Sequence, residues 1–251
     1  MIKILYICII LLFPLLTIRG LFIFYKSKIN LKIITGAFFL KALPKIFIFL
    51  ILVTILFLLI TIINYNKYYI VLKFTRDFKS AFFQIPEYLS VAIMEEFLFR
   101  ILLFASLIHY VYSKKMLIII SSLFFALFHF PSNGLHFISY FLGGITYGYA
   151  FVKFQSILLP IGIHFFWNYI QGAIFGYPVS GNESDGLINL TIISNEIYNG
   201  GNHGLEGSLA GIIMRIIIII TIFILPSGAK NEKFLDFKNP FFNQQVENNK
   251  N

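Results

Sequence analysis

The sequence predicts an all-α fold: a polytopic bundle of transmembrane helices, about seven spans with a range of six to eight. Three observations predict it. Of the 251 residues, 58% are hydrophobic and only 12% are charged, against about 25% charged in a typical soluble domain; the mean hydropathy is +0.83. The apolar residues fall in runs long enough to cross a hydrocarbon layer of about 30 Å. Lysines punctuate those runs, as they do at the cytoplasmic ends of membrane spans. This composition excludes a soluble cytosolic enzyme, a disordered chain, a collagen and a disulfide scaffold. The single cysteine, Cys8, permits no intrachain disulfide. The net charge of +9 is read as topology-setting lysine, so no nucleic-acid partner is expected.

The elements follow in order. Residues 1–18 carry one lysine and then an apolar run. No small-x-small cleavage site follows, so the run is read as a retained span rather than a signal peptide. Residues 19–45 are basic and mixed, in part an interfacial amphipathic helix. Residues 46–63 form the second span and 64–79 a basic, aromatic connector. Residues 82–109 are long enough to span yet carry Glu87, Glu95, Glu96 and Arg100. A short basic turn at 110–115 leads into the runs 116–130, ending before Pro131, and 135–152, ending before Lys153. Residues 156–175 and 208–225 complete the set. Between those two lies a polar, Gly-rich loop, 176–207. It holds Glu183, Asp185, Glu196 and Glu206 but no Lys or Arg, and its 200–208 stretch suggests a re-entrant or lid-like segment. The tail 226–251 reads as disordered. The chain thus divides into N-terminal spans and a basic interfacial segment (1–80), a core (81–225) and a tail. The positive-inside rule puts the 114–115 turn, Lys153 and the tail in the cytoplasm and the acidic loop outside. Lys67, Lys73, Arg76 and Lys79 conflict with that count, which points to a missed span or an interfacial helix near 31–44.

Charge inside a span is expensive, so it marks candidate function. In Glu95-Glu96-Phe97-Leu98-Phe99-Arg100, Glu96 and Arg100 are four apart and can pair on one helix face. Glu95 lies about 100° around the helix and lacks such a partner. It is free to face a polar cavity as a general base. The second constellation is Phe125-Ala126-Leu127-Phe128-His129. The third is His164-Phe165-Phe166-Trp167-Asn168, whose four-residue spacing points His164 and Asn168 at one place. Asn can donate to an oxyanion, and His can donate or hold a base. At about 1.5 Å per residue, unbroken upright helices raise Glu95 and His129 roughly 21 Å above the 110–115 turn. The same rise puts His164 about 16 Å and Asn168 about 22 Å above Lys153. Residues from three spans thus share a depth, which a common buried site explains. Glu95, His129 and His164 are also a zinc-ligand set. No HExxH is present, so glutamate-activated and zinc-activated water both remain open. His109 and His136 are read as interfacial and His203 as part of the external loop. Gly143, Gly144 and Gly148 suggest close helix packing. Arg215 is left to snorkel or to pair with an acid.

EExxxR (Glu95, Glu96, Arg100), FxxxH (Phe125, His129) and HxxxN (His164, Asn168), in this order on separate spans, resemble the CPBP family. This is the CAAX-protease and bacteriocin-processing, or Abi, group of intramembrane proteases. The resemblance covers about residues 82–225, and Pro178–Gly181 and Gly200–Ser208 also resemble bacterial members. It implies an all-helical membrane core around a buried polar cavity and hydrolysis of a peptide bond by a glutamate-activated water. By this resemblance Glu95 is the catalytic glutamate and His129 its partner in activating water. His164 and Asn168 stabilise the oxyanion, and Glu96 and Arg100 are the supporting pair. No cofactor is expected, with zinc on Glu95, His129 and His164 as the alternative. The expected partners are the lipid bilayer and a peptide or protein substrate in or near it. The Ile-, Phe-, Lys- and Asn-rich usage suggests an AT-rich, bacterial genome, hence a multi-pass protein of the bacterial cytoplasmic membrane. Farnesylated CAAX tails are then disfavoured as substrates. Two other classes compete: a non-catalytic immunity or partner-binding membrane protein, and a small proton-coupled transporter, which the lack of an inverted repeat disfavours.

Overall fold

The structure is a computed structural model that describes residues 2–26, 39–67, 70–75, 77–108, 110–111, 113–193 and 196–227. The expectations for residues 27–38, His109 and the tail from 228 lie outside the described residues. The first run is helix α1, Ile2–Lys26, and the second is α2, Phe39–Asn66. A strand, β1 (Ile70–Phe74), follows. The expected span 82–109 is not one helix. It is α3 (Phe78–Phe83), α4 (Ile85–Glu96), a π-helical segment (Phe97–Leu102) and α5 (Leu103–Leu107). Next come α6 (Lys114–Phe128), α7 (Gly134–Phe154) and α8 (Leu158–Tyr169), and α8 runs into a second π segment, Ile170–Ile174. After it lie β2 (Ile188–Ile192), α9 (Glu196–Asn199), a 3₁₀ segment (Gly201–Gly207) and α10 (Leu209–Ile224).

The chain is mostly helical, as expected. A bundle of seven spans is not confirmed. Among the described residues two helical stretches are long and apolar enough to cross a membrane, Ala42–Asn66 with mean hydropathy 3.4 and Gly201–Ile224 with 2.4. The shorter Leu11–Tyr25 is also apolar. Three of the other runs are short or interrupted. Helix α6 has 15 residues, about 22 Å of rise. The α4 and α8 runs carry polar side chains and change their winding part-way. Beside the helices, among the described residues, lies one pair of strands. β1 pairs antiparallel with β2, from Ile70 opposite Ile192 to Phe74 opposite Ile188. The acidic loop is therefore tied to the connector after α2 rather than hanging free.

Packing around the site is set by small residues and aromatics. A Cβ on Gly20 of α1 would stand 1.9 Å from the Leu102 carbonyl oxygen, so α1 lies directly on the first π segment. A Cβ on Gly144 would stand 2.7 Å from Ser122 Cα, and one on Gly148 3.2 Å from Ile118. The glycine pattern thus presses α7 onto α6, as its spacing suggested. Gly143 instead makes room for Arg215. Phe13 of α1 meets Phe99 and Phe128, with ring centroids 4.9 and 4.2 Å away. Phe57 of α2 meets Trp167 of α8 edge-on at 5.2 Å. Local side-chain caps start the helices: Ser113 accepts from the Met116 N–H, Asn133 from that of His136 and Ser208 from that of Gly211. Such caps satisfy N–H groups that the first turn leaves open.

Candidate active site

Helix α4 ends on Glu95 and Glu96, and the chain winds directly into the first π segment, which holds Arg100. Helix α8 carries His164 and Asn168 and likewise winds into a π segment. Single π turns inside helices are rare and cluster at functional sites. The sequence expectation of unbroken helices fails at both places, just past Glu96 and just past Asn168. Helix α6 delivers His129 as its C-terminal cap, and the next residue, Phe130, has φ 49°. Such a turn with positive φ is uncommon outside glycine.

Glu96 is fully buried and joins two elements. It accepts from Arg100 Nε at 2.9 Å through Oε2 and from His164 Nδ1 at 2.9 Å through Oε1. Arg100, also fully buried, donates from Nη1 to Ser121 Oγ at 2.9 Å. The Glu96–Arg100 pair read from the spacing is therefore present, and it extends to His164 and α6. A carboxylate only accepts, so His164 carries its proton on Nδ1 and turns Nε2 the other way. His129 is set alike: Nδ1 donates to the Phe125 carbonyl at 2.8 Å, leaving Nε2 free.

Both free nitrogens face Glu95. Its Oε2 is 3.7 Å from His129 Nε2 and 3.9 Å from His164 Nε2. That oxygen is buried without a hydrogen-bond partner, although the Glu95 side chain as a whole is 21% exposed. The split between a tied Glu96 and an open Glu95 is thus visible in the geometry. A gap near 3.7 Å is too long for a direct hydrogen bond and suits one bridging water. Such a water would donate to Glu95 Oε2 and to His129 Nε2 and point a lone pair outward. Asn168 is buried one turn along α8 from His164, and its Oδ1 has no partner.

Zinc can be weighed on the same distances. Nδ1 held and Nε2 presented is the arrangement of metal-binding histidines. Two tetrahedral ligands with bonds near 2.1 Å stand only about 3.4 Å apart, closer than the distances to Glu95 given above. Among the described residues no group of three or more His, Cys, Asp or Glu is set to hold a metal. As placed, the two histidine nitrogens stand about 0.3 and 0.5 Å farther from Glu95 Oε2 than that ligand spacing.

The structure also assembles residues that the sequence reading left aside. Arg215 of α10 pairs with Glu206 at 3.4 Å and lies over the Trp167 ring at 4.4 Å. Glu206 accepts from both the backbone N–H and the hydroxyl of Ser180, at 2.8 and 2.9 Å. One buried carboxylate thus closes the neck of the acidic loop and docks it on α10. The glycine density of Gly200–Ser208 suggested a re-entrant or lid-like segment; nothing in sequence pointed Glu206 at Arg215. His136 is buried and lies 4.2 Å from His203, ring centre to ring centre. Tyr140 and Tyr147 of α7, outside every motif, line the histidines.

Residues 77–170 match the model of the Rce1-like family, type II CAAX prenyl endopeptidase Rce1-like. No curated protein and no solved structure gives a significant match. The matched stretch is less than half of the chain but contains Glu95, Glu96, Arg100, Phe125, His129, His164 and Asn168, every residue of the three motifs. The match agrees with the recognition drawn from those motifs: over residues 77–170 this chain is similar to the Rce1-like family of type II CAAX prenyl endopeptidases.

Proposed function

We propose that this protein is an intramembrane endopeptidase that hydrolyses a peptide bond in a membrane-associated or secreted peptide or protein, using a water activated by Glu95. The observation that carries this reading is the partnerless, buried Glu95 Oε2 facing two histidine Nε2 atoms at 3.7 and 3.9 Å. The Rce1-like match supports the reaction class.

In this reading Glu95 takes a proton from the water held between it and His129. The water oxygen bonds to the carbonyl carbon, and the carbonyl π pair moves onto oxygen. Asn168 Nδ2 donates to that oxyanion. His164 Nε2 donates to it when the ring carries its second proton. The pair returns, the C–N bond breaks, and Glu95 passes its proton to the departing amine. Glu96 and Arg100 hold the scaffold and the His164 tautomer. No step runs through zinc.

We place the chain in a bacterial cell membrane, crossing it several times. Support comes from its surface. Phe47, Ile51, Ile55, Leu58, Leu59 and Ile62 of α2 all stand exposed. So do Ile213, Ile216, Ile220 and Phe223 of α10. Apolar area on that scale is costly in water and normal against lipid.

The test is terminal-peptide mapping of membranes holding the wild type or Glu95→Gln. Products are expected only from the wild type, with both proteins inserted alike. Identical termini would refute hydrolysis and favour a non-catalytic immunity protein. pH-coupled uptake without cleavage would favour a transporter. Loss of products on chelation, restored by zinc, would overturn the metal-free mechanism alone.

A further inference from the structure

Helix α7 carries none of the motif residues, yet it presents an aromatic ring to each histidine of the site. Tyr140 and Tyr147 are seven positions apart, two helical turns, and so lie on one face. Tyr147 lies nearly parallel to His164, with centroids 4.5 Å apart and planes 10° apart. Tyr140 lies on His129, with centroids 4.7 Å and planes 30° apart. Both tyrosines are buried. Their own positions are fixed. Gly144 lets α7 press on α6, and Phe125 meets Tyr147 edge-on at 5.7 Å. The Tyr140 hydroxyl shares a 3.1 Å hydrogen bond with His203 Nδ1, on the 3₁₀ segment that closes the acidic loop.

The Cβ–Cγ attachment and a hydrogen bond at Nδ1 still let an imidazole rock out of plane, and Nε2, on the far side of the ring, moves as it does. A flat partner on the ring face removes that freedom. The Phe125 carbonyl with Tyr140, and Glu96 with Tyr147, therefore fix the two Nε2 directions that converge on Glu95. We propose that Tyr140 and Tyr147 are positioning residues of the site, each setting the plane of one histidine. Tyr140 also couples the acidic loop to His129 through His203. The activity readouts rest on the hydrolase reading; the spectroscopic one does not.

The test compares Tyr→Phe, which keeps the ring, with Tyr→Leu and the better-filling Tyr→Met, which remove it, at each position in the full-length protein in detergent. Displacing a reacting group by about 1 Å can cost roughly 10²-fold in rate. Tyr147→Leu and Tyr147→Met are expected to lose about that in kcat with KM nearly kept, and Tyr147→Phe to restore most of it. At position 140, Phe is expected to lose as much as His203→Ala, with no further loss in the double variant, because both cut one tether. Independently, the ring C–H resonances of His129 and His164 should carry the ring-current shift of a stacked tyrosine. Leu and Met should abolish that shift, and Phe should keep it. Unmoved resonances in the Leu and Met variants, or Tyr147→Phe as slow as Tyr147→Leu, would overturn the assignment. If wild type and Glu95→Gln cleave alike, the hydrolase reading falls and the resonances alone decide the stacking.

Discussion

Replacing Arg100 by methionine is expected to destabilise the fold severely, and replacing Glu96 as well is expected to bring stability back without activity. Arg100 and Glu96 are both fully buried and joined at 2.9 Å. Arg100 also donates to Ser121. Removing one partner of a buried ion pair costs about 3–5 kcal/mol, because the other charge stays buried and unmatched. Here Glu96 would keep only the His164 Nδ1 bond. Against a total stability of about 5–15 kcal/mol, such a loss is a fifth or more. Replacing both residues by methionine removes both charges, and apolar replacement of a buried pair is often neutral or better. The double variant is therefore expected near wild-type stability. It would still fail to cleave, since nothing then holds His164 Nδ1. The assay is denaturant titration in mixed micelles, read by the fluorescence of Trp167, the single tryptophan. The reasoning is refuted if Arg100→Met costs less than about 1 kcal/mol, or if the double variant is no more stable than the single one, in either case contrary to the buried-pair estimate.

Three more outcomes are expected. Asn168→Ala should lower kcat by about 10²–10³-fold, the usual cost of losing an oxyanion donor, with unfolding unchanged; a wild-type rate would remove Asn168 from the site. Gly20→Val should destabilise by about 1–3 kcal/mol, because its Cβ would meet the Leu102 carbonyl oxygen, whereas Gly134→Ala, with nothing within 4 Å, should not; titration of both variants checks this. Arg215→Met should free Glu206 and open the loop neck, at the low end of about 3–5 kcal/mol since their contact is a long 3.4 Å; limited proteolysis should then cut faster within residues 182–193.

Local spacing made part of the site legible. Glu96 and Arg100, and likewise His164 and Asn168, sit four apart on helices, and helical periodicity alone puts each pair on one face. The same geometry turned Glu95 away from Arg100. Scarcity of charge did the rest: in a chain with 12% charged residues, carboxylates inside apolar runs are costly enough to signal use. The depth estimate rested on unbroken helices. The chain instead winds into π segments at Phe97 and Ile170. Glu95, His129 and His164 still converge, because the π segments begin beyond Glu95 and beyond His164.

The sequence by itself determined the apolar, helical character, the order of the motifs and the Glu96–Arg100 pairing, because these depend on composition and on neighbours within one helical turn. Tertiary structure decided what depends on residues far apart in the chain. It placed His164 on Glu96, paired Ile70–Phe74 with Ile188–Ile192, joined Glu206 to Arg215 and laid Tyr140 and Tyr147 on the histidines. An apolar stripe looks the same whichever helix it meets. Only close packing, with Gly144 on Ser122 and Gly20 on Leu102, chooses among the partners and brings the polar atoms within reach of one another.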